Sequence, residues 1–166
     1  MDFLGKQVKL SLSAEETLFL ERLQTVIDYL EPPLLDKEHS QLIRLEDGAL
    51  LLDMPHKEVA VSVGALVHPA EIIVGIGNNP LHWHFPIRPG EETECREESM
   101  QCLKELLGNT VLLENSWFGQ WIGKAKASLV LEDGQERLGT IVQLQLWRFL
   151  RRHRRQKLLF SYQKQV

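Results

Sequence analysis

With 166 residues, 43% of them hydrophobic and 25% charged, the chain has the size of one domain and an ordinary globular composition, which excludes a disordered or fibrous protein. It has no apolar run of the roughly 18 to 20 residues that span a bilayer, and its first ten residues carry Asp2 and lack an apolar signal core, so a cytoplasmic protein without a membrane partner is expected. The net charge of −4 divides unevenly: residues 1–147 hold all 23 Asp and Glu against 12 Lys and Arg, while 148–166 hold 7 Lys and Arg and no acid. One domain over 1–166, with an acidic body and a basic C-terminal segment (148–166), follows from this layout.

In chain order, Ser13-Ala14-Glu15-Glu16 is a capping box that opens an amphipathic helix with apolar residues at 19, 20, 23, 26, 27 and 30. Pro32-Pro33 ends it. Two apolar runs, Gln41 to Leu45 and Ala49 to Asp53, flank Glu46-Asp47-Gly48 and predict a β-hairpin. Glu58 to Leu66 alternates with Val59, Val61 and Val63 on one face, and Glu71 to Gly77 alternates with Ile72, Val74 and Ile76, so the two runs are expected as antiparallel neighbours. Gly64, Gly75 and Gly77 mark places for a bulge or a close backbone approach. Leu81 to Pro86 is a short extended run whose alternation sends Leu81, Trp83 and Phe85 inward and His82 and His84 outward. A second helix is predicted from about Glu92 to Leu107, with early acids at its positive end, Gly108-Asn109 as its C-cap, and Met100, Leu103, Leu106 and Leu107 on its buried stripe.

Beyond it, Thr110 to Glu114, Trp117 to Leu131 and Leu138 to about Arg148 are expected as strands, with a turn at Glu132-Asp133-Gly134-Gln135. The final stretch fits two readings: Leu158, Phe160 and Tyr162 alternate as in a strand, the reading favoured, while its Arg, Gln, Lys and Leu are also good helix formers with no Gly or Pro to interrupt them. The fold class is therefore α+β: a mainly antiparallel sheet of about six to eight strands with two helices packed on one face.

Three constellations could carry chemistry. His82 and His84, two apart on a strand, share a face and could place two imidazoles on one metal ion. A third ligand would have to come from His68, Glu71, His56 or the Glu94 to Glu98 turn, so no metal and no cofactor is assigned. No partner nucleophile for a histidine base is evident, because neither Cys95 nor Cys102 lies in a catalytic motif and none of the serines sits in a G-x-S-x-G elbow. Trp117-Phe118-Gly119-Gln120-Trp121 reads as one strand, Trp117 and Trp121 on a shared face that either lines the core or meets a partner. The basic segment, with Arg151, Arg152, Arg154 and Arg155, is either a solvated counterweight to the acidic body or a phosphate-binding surface.

The run Glu71-Ile72-Ile73-Val74-Gly75-Ile76 leading into His82-Trp83-His84-Phe85, followed by a helix and then a strand with glycine and aromatics, resembles the small predicted immunity proteins of bacterial toxin systems. The resemblance covers about residues 58–131 and implies a non-enzymatic protein that binds and blocks one toxin. The acidic body matches that group and the basic end departs from it. The order of elements is also similar to small secretion-chaperone-like folds, another binding class. The sequence thus points to a binding protein with a protein partner. The alternatives are a metal-dependent enzyme centred on His82 and His84, and a nucleic-acid binder using the basic end.

Overall fold

A computed structural model describes residues 2–77, 81–118, 121–131, 134–142 and 153–163. The fold is α+β. Strands β1 (Asp2–Phe3) and β2 (Lys6–Gln7) form a small antiparallel hairpin that precedes every predicted element. Its turn places Leu4 and Gly5 at φ 52° and 76°, a conformation glycine adopts freely and leucine does not.

Helix α1 (Ala14–Leu30) starts at the capping box. Ser13 Oγ accepts from the Glu16 amide at 3.1 Å, and Glu16 Oε2 accepts from the Ser13 amide at 2.8 Å. The same carboxylate meets the Arg44 guanidinium through both its oxygens, and Arg44 also donates to Ser11 O and Gly48 O at 2.7 and 2.8 Å. A helix start and a hairpin turn are thereby tied to one buried carboxylate, which Arg44 above all holds below the usual carboxylate range. A depressed folded-state pKa contributes stability that is present above the unfolded value and is lost as the pH falls through the folded one. Glu16→Gln is therefore expected to cost about 1 to 2 kcal/mol at pH 7, a penalty that shrinks toward zero below about pH 4. Urea melts at pH 7 and pH 3 check this, and a pH-independent penalty contradicts it.

Five strands form the main sheet in the order β3 (Gln41–Arg44), β4 (Leu50–Pro55), β5 (Ser62–His68), β6 (Glu71–Ile76) and β7 (His82–Pro86), all antiparallel. The predicted hairpin is β3–β4, with Gly48 at φ 87° in its turn. The strand expected from Glu58 begins only at Ser62. His56 Nδ1 accepts from the Glu58 amide at 3.0 Å and curls residues 56–59 into a turn, so Val61 ends a loop and the inward series runs Val63, Ala65, Val67.

Helix α2 (Glu92–Gly108) lies across β5, β6 and β7 and beside α1. Gly108 is its last residue and Asn109 its C-cap, a one-residue shift from expectation. Its buried residues include Cys95, Met100, Leu103, Leu106 and Leu107. No helix among the described residues is long and apolar enough to cross a membrane.

A second sheet has the order β10 (Gly134–Val142), β9 (Trp121–Leu131), β8 (Thr110–Phe118) and β11 (His153–Ser161). The strands thus number eleven in three sheets among the described residues, where one sheet of six to eight was expected. Trp117 to Leu131 is not one strand, because β8 ends at Phe118 and β9 starts at Trp121. Of the turn expected at 132–135, Gly134 and Gln135 pair with Leu131 and Val130 as part of β10; residues 132–133, and residues 143–148 of the predicted strand, lie outside the described residues. The final stretch is a strand, not a helix; it ends at Ser161, one residue before Tyr162, and pairs with β8, not with the preceding β10.

The two larger sheets and both helices close on one core. Trp83 Nε1 donates to Leu138 O at 3.0 Å, joining β7 to β10. The end of β11 is held more firmly: Tyr162 OH donates to Met54 O at 2.7 Å and accepts from the Val63 amide at 3.1 Å. Gln163 Nε2 donates to Leu30 O and Leu107 O, carbonyls in the last turns of the two helices.

Candidate functional site

Alternation divides the main sheet into two faces. Leu52, Met54, Val63, Ala65, Ile72 and Val74 belong to the core, and Trp83 and Phe85 pack against it. Ile43, Leu51, Leu66 and Ile73 point the other way and take no part in that core. Their register is continuous: Ile43 stands opposite Leu51, Leu51 opposite Leu66, Leu66 opposite Ile73 and Ile73 opposite His84. An apolar row therefore crosses four of the five strands on the outer face and ends against His84 on β7, with Ile43 40% exposed at its other end.

The adjoining row is Gln41, Asp53, Gly64, Gly75 and His82, again in cross-strand register. The missing side chains of the paired glycines leave a trough of about 220 Å³, lined by Leu51, Asp53, Leu66, Ile73, Gly75 and His82 among others. Neither glycine has a positive φ. A Cβ on Gly64 would stand 2.5 Å from Leu52 O, whereas one on Gly75 would meet nothing closer than 3.5 Å. The outward positions of the five strands include Asp53 and Glu71 and no Lys or Arg.

His82 and His84 lie on this face, both exposed, as their alternation predicted. Their rings meet edge to face with centroids 4.8 Å apart, and His84 Nδ1 is 2.7 Å from Glu71 Oε2. Two of the other candidate ligands are employed elsewhere. His68 Nδ1 accepts from the Ala70 amide at 3.2 Å, while the buried His56 accepts at Nδ1 and so donates from Nε2 to Ser161 O at 2.9 Å. Among the described residues no three His, Cys, Asp or Glu side chains come together in a way that could hold a metal ion. Nor do the cysteines offer a thiolate: burial raises the Cys95 thiol, which donates to Phe85 O, and pushes Cys102 up to about 12.

Trp117 and Trp121 do not share a strand. In the β8–β9 hairpin Trp117 stands opposite Ile122 and Trp121 opposite Phe118, so alternation along one strand no longer relates them, and Gly119-Gln120 lie outside the described residues. At the basic end Arg155 is exposed on β11, and Arg154 stands opposite Trp117 in the backbone register. Arg151 and Arg152 lie outside the described residues. Lys157 Nζ meets Glu114 Oε1 at 2.7 Å, and with Lys126 at 3.5 Å it holds the Glu114 carboxyl below its ordinary range. One cation of the basic end is thus paired with an acid of the body.

The apolar row is the feature that the sequence reading missed. Its signal is present: Leu50-Leu51-Leu52, Ala65-Leu66-Val67 and Ile72-Ile73-Val74 are unbroken apolar runs, where a sheet with one solvated face alternates with polar residues. Comparison with protein-family models, curated proteins and solved structures returns no match, so the reading of this face rests on the chain's own residues.

Proposed function

We propose that the chain is a non-enzymatic binding protein of the immunity or inhibitor kind, which occludes a protein partner with the outer face of its five-stranded sheet. The apolar row from Ile43 to Ile73 carries this reading, because it spans four adjacent strands without belonging to the core. Contiguous apolar surface rimmed by polar groups is the ordinary mark of an interaction site. Asp53 and Glu71 add acid without a compensating Lys or Arg at the outward strand positions, and the acidic body supports steering of a basic partner, an effect felt mainly in the association rate. The exposed pair His84 and Glu71 fits the polar rim of such a face.

The test is genetic and biochemical. Each reading frame flanking the gene is expressed alone, and one of them is expected to arrest growth. Co-expression of this chain should restore growth, and a Leu66→Lys, Ile73→Lys variant with wild-type circular dichroism should not. Equal rescue by the variant removes the outer face from the mechanism, and rescue of no frame removes the immunity role.

A further inference from the structure

Gly75 is the penultimate residue of β6 and still pairs in the ladder on both sides, yet neither backbone conformation nor steric crowding calls for a glycine there. Its φ is not positive, and an added Cβ would make only ordinary contacts with His82 Cβ and Leu81 O at 3.5 Å. A glycine inside a strand costs backbone entropy and contributes no packing, and where no bulge or crowding explains it, it marks the close approach of a ligand or of another chain. The ladder from β6 to β7 runs without a bulge through Gly75 opposite His82. Gly64 across the ladder is different, since Leu52 O fills the place of its Cβ.

The trough that the two glycines open is floored by backbone, walled by Leu51, Leu66 and Ile73, and bounded by Asp53 at one end and His82 at the other. Its volume of about 220 Å³ falls below the roughly 300 Å³ at which small-molecule sites begin, and suits a single side chain. Apolar walls select an aliphatic or aromatic group, and a carboxylate at the mouth, on a strand face without Lys or Arg, selects a neighbouring cation. Resting on the binding role proposed above, we infer that this trough is an anchor pocket: it takes one large aliphatic or aromatic side chain of a partner protein, whose adjacent Lys or Arg meets Asp53.

A random peptide library displayed on phage, panned against the full chain, tests the pocket without the natural partner. The recovered peptides should carry a large apolar residue beside Lys or Arg. Synthesised and titrated by fluorescence polarisation, they should lose about tenfold or more in affinity on Gly75→Val, which fills the trough, and a few-fold on Asp53→Asn, with a weaker salt dependence. The urea midpoint of Gly75→Val should equal or exceed that of the wild type, so lost binding cannot be ascribed to unfolding. Tyr29→Ala, on exposed surface of α1, should bind as the wild type does.

No enriched peptide, an acidic consensus, or undiminished binding to Gly75→Val overturns the inference. So does a wild-type dimer in sedimentation that Gly75→Val converts to monomer, because the occupant is then a second copy. Failure of the two ideas is separable. If Gly75→Val still relieves growth arrest by a flanking frame, the pocket falls and the immunity role stands. If the peptide results hold while no frame is relieved, the pocket stands and the immunity role falls.

Discussion

Tyr162→Phe is expected to lower stability by about 2 kcal/mol and Tyr162→Ala by about 4 to 5, the latter close to the whole stability of many domains. Tyr162 is fully buried, its ring edge to face with both His56 and Phe160. Its hydroxyl sits between Met54 O and the Val63 amide, which belong to cross-strand partners of β4 and β5. Removing only the oxygen leaves a buried carbonyl and a buried N–H without this partner, each a desolvated polar group worth about 1 to 3 kcal/mol. Removing the ring adds a cavity where β11 meets the main sheet. Burial also raises the phenol's pKa, so the hydroxyl stays protonated and able to donate. Urea melts at 25 °C measure both values. A Tyr162→Phe effect within about 0.5 kcal/mol, the range of surface changes, would mean that water replaces the lost bonds.

Gly64→Ala should cost about 2 to 3 kcal/mol, and Gly64→Val more, because the new Cβ stands 2.5 Å from Leu52 O and the obstacle is backbone within a ladder. Gly75→Ala, one strand away on the same face, should be neutral or stabilising by up to about 1 kcal/mol, since the site accepts a Cβ and the unfolded chain loses freedom. The pair distinguishes a glycine kept by its own sheet from one the fold does not need. Equal penalties in parallel melts would show that Gly75 is structural as well, and the argument from its dispensability would fail.

What the sequence displayed was local. Ser13 and Glu16 lie within one helical turn, Asp47-Gly48 within one β-turn, and Ile72, Val74 and Ile76 within one strand, so pattern alone located them. What it concealed depended on distant partners. Val59 and Val61 alternate as a strand would, but His56, pinned to Ser161 across 105 residues, draws the Glu58 amide into a turn instead. Trp117 and Trp121 look like neighbours on one strand, but β8 ends at Phe118 and β9 begins at Trp121. Half of the candidate site was legible: His82 and His84 face outward as alternation requires. The remainder, the row Ile43, Leu51, Leu66 and Ile73, exists only because four strands align in register, and a linear pattern does not state register.

The clasp at Tyr162 and Gln163 also sets a schedule. Tyr162 reaches Met54 across 108 residues, and Gln163 reaches Leu30 across 133, among the longest loops a chain of this size can close, and such closures slow folding. During synthesis α1 and the five-stranded sheet are made first, with their inner apolar face turned toward strands that have not yet been translated. Until β11 arrives, that face and the carbonyls in the last turns of the two helices lie open, a state in which a nascent chain is most in need of a chaperone and most exposed to proteolysis.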